Sequence, residues 1–143
     1  MASDELDKVE LPALEQLQSL GWSYVEGAQL SPSDPSKESD ERSSLKDVVL
    51  EKRLTVSLKR INPWINDENL RKVIRELTKT LYSNLIEANQ GIWTHINQCI
   101  SVMQDRGKGN KGQTVHIIDF EHPENNEFLC TNQFKVSGVN QNI

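Results

Sequence analysis

Cysteine is scarce in this chain, which has two, Cys99 and Cys130. Two thiols, one on a predicted helix and one on a predicted strand, do not make a disulfide framework. They point to a reducing, cytoplasmic setting. Long apolar runs are missing too. Nothing approaches the roughly 20 residues of a membrane-crossing helix, so no membrane partner is expected. The N-terminus, MASDELDKVE, is acidic and polar, unlike a secretory signal. There is no Gly-x-Ser-x-Gly and no His-Glu-x-x-His, so the familiar hydrolase nucleophile and zinc-peptidase signatures are excluded. The net charge of −5 excludes a strongly basic nucleic-acid footprint overall. No internal repeat is present.

What is there suits one polar globular domain, residues 1–143, with 36% apolar and 26% charged residues. The charge is unevenly spread. Residues 1–45 carry ten acids and three bases, whereas residues 46–143 carry eleven acids and thirteen bases. The bases gather as Lys52, Arg53, Lys59 and Arg60, then Arg71, Lys72, Arg75 and Lys79. Such groups read as solvated helix faces or as a surface that tracks phosphates.

Taken in order, Leu11, Leu14, Leu17 and Leu20 mark one helix face, with Pro12 in its first turn and Gly21 at its end. Residues 22–25, Trp-Ser-Tyr-Val, read as a short strand. Residues 29–44, rich in Pro, Ser and charge, read as a mobile acidic linker. Three helices follow. The first has the stripe Leu50, Leu54, Leu58 and Ile61 and ends at Asn62-Pro63. The second is capped by Asn66 and striped by Leu70, Val73, Ile74, Leu77 and Leu81. The third runs from Leu85 through Ala88, Ile92, Ile96, Cys99 and Ile100 to Met103. Residues 115–138 then read as strand, polar turn, strand. Phe128, Cys130, Phe134 and Val136 share one face, on which Asn132 is the polar member.

Residues 107–114, GKGNKGQT, come close to a phosphate-binding loop but hold Gln113 where its lysine belongs. A helix is expected before this loop and a strand after it, the reverse of what a nucleotide site needs. Lys108 and Lys111 are instead expected to touch a DNA backbone from a flexible turn. His95 and Cys99 have the spacing of two ligands on a helix, but no second pair completes a zinc site, and no metal ligand is assigned. Trp22, Trp64 and Trp93 lie on or beside apolar stripes and read as packing residues.

Several stretches together resemble the N-terminal part of the restriction subunit of type I restriction–modification enzymes. They are Leu14-Glu15-Gln16-Leu17 with Leu20-Gly21-Trp22, Asn62-Pro63, Asn89, residues 115–120, Pro123-Glu124, Asn126-Glu127-Phe128, residues 132–136 and Gly138. The resemblance implies an α+β fold, the N-terminal portion of a PD-(D/E)xK-type nuclease domain with an inserted helical group. It implies a whole protein that cleaves unmethylated foreign DNA with Mg²⁺ and ATP. DNA and the methyltransferase and specificity subunits would be its partners. In such nucleases an acid on one strand and a Glu-x-Lys on the next hold Mg²⁺ and activate water. Glu10 lines up with the family's helix glutamate near that metal.

The motif Asp, the Glu-x-Lys and a later Gln-x-x-x-Tyr are absent from this sequence. The chain is therefore expected to be truncated before the catalytic strands, to bind no cofactor itself and to be inactive alone. It is also expected to self-associate through an unpaired sheet edge after Val136. The alternative is a non-catalytic module that binds DNA or a partner subunit.

Overall fold

The computed structural model describes residues 2–32, 41–79 and 84–137. Leu81, Gly138 and residues 33–40 lie outside the described residues. The class is α+β, as expected. The chain forms two compact units. One comprises Met1–Leu50 with Glu127–Ile143, and the other is Glu51–Asn126.

In the first unit, α1 (Ala2–Glu5), a π-helical turn (Leu6–Glu10) and α2 (Leu11–Ser19) follow without a break. The helix begins nine residues before the expected Leu11 start. Pro12 therefore lies within a helical run instead of opening one. Proline lacks the donor for the usual i−4 bond and crowds that carbonyl. The Leu11 N–H reaches back to the Leu6 carbonyl instead, five residues away, which is π-helical spacing. Gly21, at φ +96°, ends the helix as expected.

Strand β1 (Ser23–Tyr24) pairs in parallel with β4 (Leu129–Cys130). The ladder extends beyond both ends. Ser23 N–H donates to Phe128 O at 2.9 Å, Val25 N–H to Cys130 O at 3.1 Å and Gly27 N–H to Asn132 O at 3.1 Å. Trp22 and Phe128 meet with ring centroids 5.2 Å apart. Phe134 is covered by the buried guanidinium of Arg42, 4.1 Å above its ring. The described ends of the 29–44 stretch are packed. Leu30, in the short helix α3 (Gly27–Leu30), is 1% exposed and Arg42 is 2% exposed.

The second unit holds α4 (Glu51–Ile61), α5 (Asp67–Thr78), α6 (Leu85–Gln98), β2 (Ile100–Asp105) and β3 (Asn110–Val115). Its core is Leu58, Ile65, Leu70, Val73 and Leu77 from the α4–α5 region, packed with Val102 and Val115 from the strands. Asn66 caps α5 by accepting from Asn69 N–H at 2.8 Å, as its sequence position predicts. The third helix is shorter than expected. It stops at Gln98, and Ile100 and Met103 belong to β2, which pairs antiparallel with β3.

The expected strand–turn–strand over 115–138 is also replaced. Val115 closes β3, residues 117–126 are irregular apart from the 3₁₀ turn Pro123–Asn125, and β4 has only two residues. Asp119 organises the turn. Its carboxylate accepts from Glu121 and His122 N–H and from the Asn125 amide. These bonds, the Asn125 one foremost, hold its pKa below the ordinary carboxylate value.

One residue, Cys99, joins α6 directly to β2, at φ 62° and ψ −178°. That conformation belongs almost solely to glycine and costs other residues about 1–3 kcal/mol. Cys99→Gly is therefore expected to stabilise the second unit by about 1 kcal/mol, after allowing for glycine's extra unfolded-state entropy. A thermal melt checks this; an unchanged or lowered midpoint would mean that the turn carries no strain.

Candidate functional site

Glu10 is the last residue of the π-helical turn and is half-buried. Its Oε2 accepts from Asn132 Nδ2 at 2.9 Å, and its Oε1 accepts from Gln133 Nε2 at 2.6 Å. Asn132 is oriented in turn by Tyr24, whose hydroxyl donates to Oδ1 at 2.6 Å. That donor fixes which way the amide faces, leaving its NH₂ for Glu10. Gln133 takes a left-handed φ of 53°.

The backbone beneath is held tightly. A Cβ on Gly27 would lie 2.2 Å from Asn132 O and 2.5 Å from Gln133 O. Tyr24, on β1, thus orients Asn132, two residues past β4, toward a helix carboxylate 122 positions away from that asparagine in sequence.

The arrangement is an ordered carboxylate with both oxygens committed to neutral amides. One carboxylate is a single hard oxygen ligand, and a Mg²⁺ site draws on more. Among the described residues no group of three or more His, Cys, Asp or Glu could hold a metal ion. The donor set does not fit a bound metal by itself.

Lys108 and Lys111 lie far from Glu10 in sequence and in the other unit. The stretch 106–113, expected to be a loop between helix and strand, is the tip and return strand of the β2–β3 ribbon. No helix follows it, so a helix N-terminus that would receive a nucleotide phosphate is absent there. Both lysines are exposed. Asp105 Oδ1 accepts from Gly107 N–H at 2.7 Å and Gly109 N–H at 3.1 Å, which fixes the turn. Arg106 lies over Trp64, 4.8 Å from its ring centroid.

His95 and Cys99 do not pair. Cys99 Sγ lies 3.4 Å from His116 Nδ1 instead.

The residues whose link with Glu10 was not visible in the sequence are Tyr24, Asn132 and Gln133. The available signal was Asn132 itself, an amide at an otherwise apolar strand-face position.

Residues 3–143 match the family model described as the type I restriction enzyme R protein N terminus. A Methanocaldococcus jannaschii protein named for the MjaIXP type I restriction enzyme endonuclease subunit is 31% identical over 134 residues, covering 94% of this chain and 12% of that protein. The type I restriction enzyme HindI endonuclease subunit of Haemophilus influenzae is 30% identical over 128 residues, covering 90% of this chain and 12% of that protein. The chain thus spans about an eighth of the length of these curated relatives. No solved structure matches it. No helix among the described residues is long and apolar enough to cross a membrane.

Proposed function

Because the chain belongs to the type I restriction enzyme R protein N-terminal family, we propose that it is the opening segment of a DNA-cleaving restriction subunit and contributes Glu10 to the cleavage centre. The observation that carries this reading is the Glu10 carboxylate, held by two amide donors at the end of the parallel β1–β4 pair. Two oriented hydrogen bonds fix a carboxylate in one rotamer, which a site that must place charge within fractions of an ångström requires.

The PD-(D/E)xK description of the fold is part of this proposal, and an α+β unit with a helix carboxylate beside a parallel strand pair supports it. The remaining acids and the lysine would come from sequence beyond the matched segment. ATP-driven translocation, Mg²⁺ and the methyltransferase and specificity subunits belong, in this proposal, to the whole protein.

The test is Mg²⁺-dependent cleavage of plasmid DNA. The 143-residue chain is compared with one carrying about 100 further residues of the reading frame, a usual domain increment. Cleavage is expected only from the longer protein and is expected to fall at least about 100-fold in Glu10→Ala, the scale of losing one ordered charged group at a reacting centre. Full activity in Glu10→Ala would remove Glu10 from the site.

A further inference from the structure

We propose that the tip of the β2–β3 ribbon seats this protein on the phosphate backbone of duplex DNA, through Arg106, Lys108 and Lys111. The partner's class rests on the restriction-subunit reading, but these residues belong to a different unit from Glu10. Three cations fall within six residues of the tip, and all three are exposed. The one acid beside them, Asp105, accepts the Gly107 and Gly109 N–H groups, so part of its charge is spent on the turn.

Several other bases of the same unit are engaged, although Arg71 and Arg75 on α5 are exposed and, among the described residues, have no ion pair either. Lys72 pairs with Glu68 at 3.1 Å and Lys79 with Glu76 at 3.7 Å. Arg60 donates to Asn125 O at 2.7 Å, and Lys59 donates to Ile65 O. Arg106, Lys108 and Lys111 have no ion pair among the described residues. The unit carries eleven bases and nine acids, whereas the rest of the chain is strongly acidic. A polyanion is therefore attracted to the charges of this unit more than to those of the other, and steering charge of this kind acts on encounter.

The ribbon is built to present those charges rigidly. Val102 and Val115 anchor its base in the core. Gln104 is buried inside it. Its Oε1 accepts from Asn66 N–H at 3.0 Å and from Asn69 Nδ2 at 3.1 Å, and its Nε2 donates to Trp64 O at 2.6 Å. Trp64 in turn supports Arg106. A cation held in place before binding loses less freedom on contact. The ribbon itself carries no aromatic residue, and Trp64 is faced by Arg106. Base stacking is therefore not what the tip offers, and single-strand recognition of the stacking kind is disfavoured. Point charges on a two-stranded ribbon suit duplex phosphates and carry no sequence preference.

The test is binding of the 143-residue chain to a fluorescent mixed-sequence duplex, followed by anisotropy across a salt series. For Lys108→Gln/Lys111→Gln, affinity should fall by about tenfold per lysine near 0.1 M salt, and the slope of log affinity on log salt should flatten by about one per lysine. The loss should be equal on scrambled sequences. Arg106→Lys keeps the charge and should keep the slope while losing the ring contact. Thermal melts should match wild type for all three exposed positions. Unchanged affinity and slope in the double variant would overturn the proposal, as would tighter binding to polyglutamate than to the duplex. Duplex binding by the 143-residue chain reads the ribbon, and Glu10→Ala cleavage by the longer protein reads the carboxylate, so failure of one is distinguishable from failure of the other.

Discussion

Asn62→Ala is expected to destabilise the second unit by about 3 kcal/mol, the cost of stranding paired polar groups in a buried site. Asn62 is fully buried. Its Nδ2 donates to Leu58 O at 3.0 Å and to His116 O at 2.8 Å, and its Oδ1 accepts from His116 N–H at 2.9 Å. The side chain thus completes two backbone bonds at the point where β3 ends, clipping it to the C-terminus of α4. Alanine leaves the His116 N–H and C=O without these partners and opens a void beside Leu58 and Val115. For a unit of this size the midpoint should drop by about 15 °C. A shift of only a few degrees would show that water replaces the amide at little cost. Asn62→Asp should be no better than alanine, because a carboxylate would face two carbonyl oxygens.

Gly27→Ala should act at least as strongly on the first unit. The added methyl would meet backbone atoms only, at 2.2, 2.5 and 2.7 Å. None is the end of a flexible side chain, so the 132–133 backbone must move. That movement breaks the Gly27 N–H bond to Asn132 O and pulls both amides from Glu10. A cost of about 3 kcal/mol or more is expected, at the upper end for overpacking. Hydrogen exchange resolved by segment is the direct measurement. Faster exchange at Gly27 and Val25, with protection retained in β2 and β3, is the expected pattern. Wild-type protection throughout would show that the two backbones do not approach so closely.

The features legible in the sequence are those set by near neighbours. The α4 and α5 stripes, the Asn66 cap and the Gly21 helix end follow from spacing and side-chain chemistry within a few residues. The α6–β2 junction was hidden for a definite reason. Ile100 and Met103 continue the helical spacing of Ile92 and Ile96, and only the left-handed turn at Cys99 redirects the chain. Residues 115–138 misled in the opposite way. Their alternation is real, yet among the described residues past Val115 only Leu129–Cys130 forms a strand, because the Asp119–Asn126 bonds turn the preceding backbone into an irregular loop.

The Glu10 cluster was legible only in part. The glutamate itself was singled out through the family likeness. Its partners Asn132 and Gln133 lie 122 and 123 positions away, a separation on which spacing rules are silent.

The order of the two units along the chain sets an order of assembly. The 51–126 unit is continuous, whereas the other is written in two pieces on either side of it. During synthesis the inner unit can close as soon as β3 has emerged. The outer one must wait for Leu129 and Cys130 before Ser23 and Tyr24 have anything to pair with. Closing that span carries the entropy of a long loop, unless the inner unit has already folded and shortened it. The early helix, with Glu10 at its π turn, is thus made before the inner unit and locked in place after it.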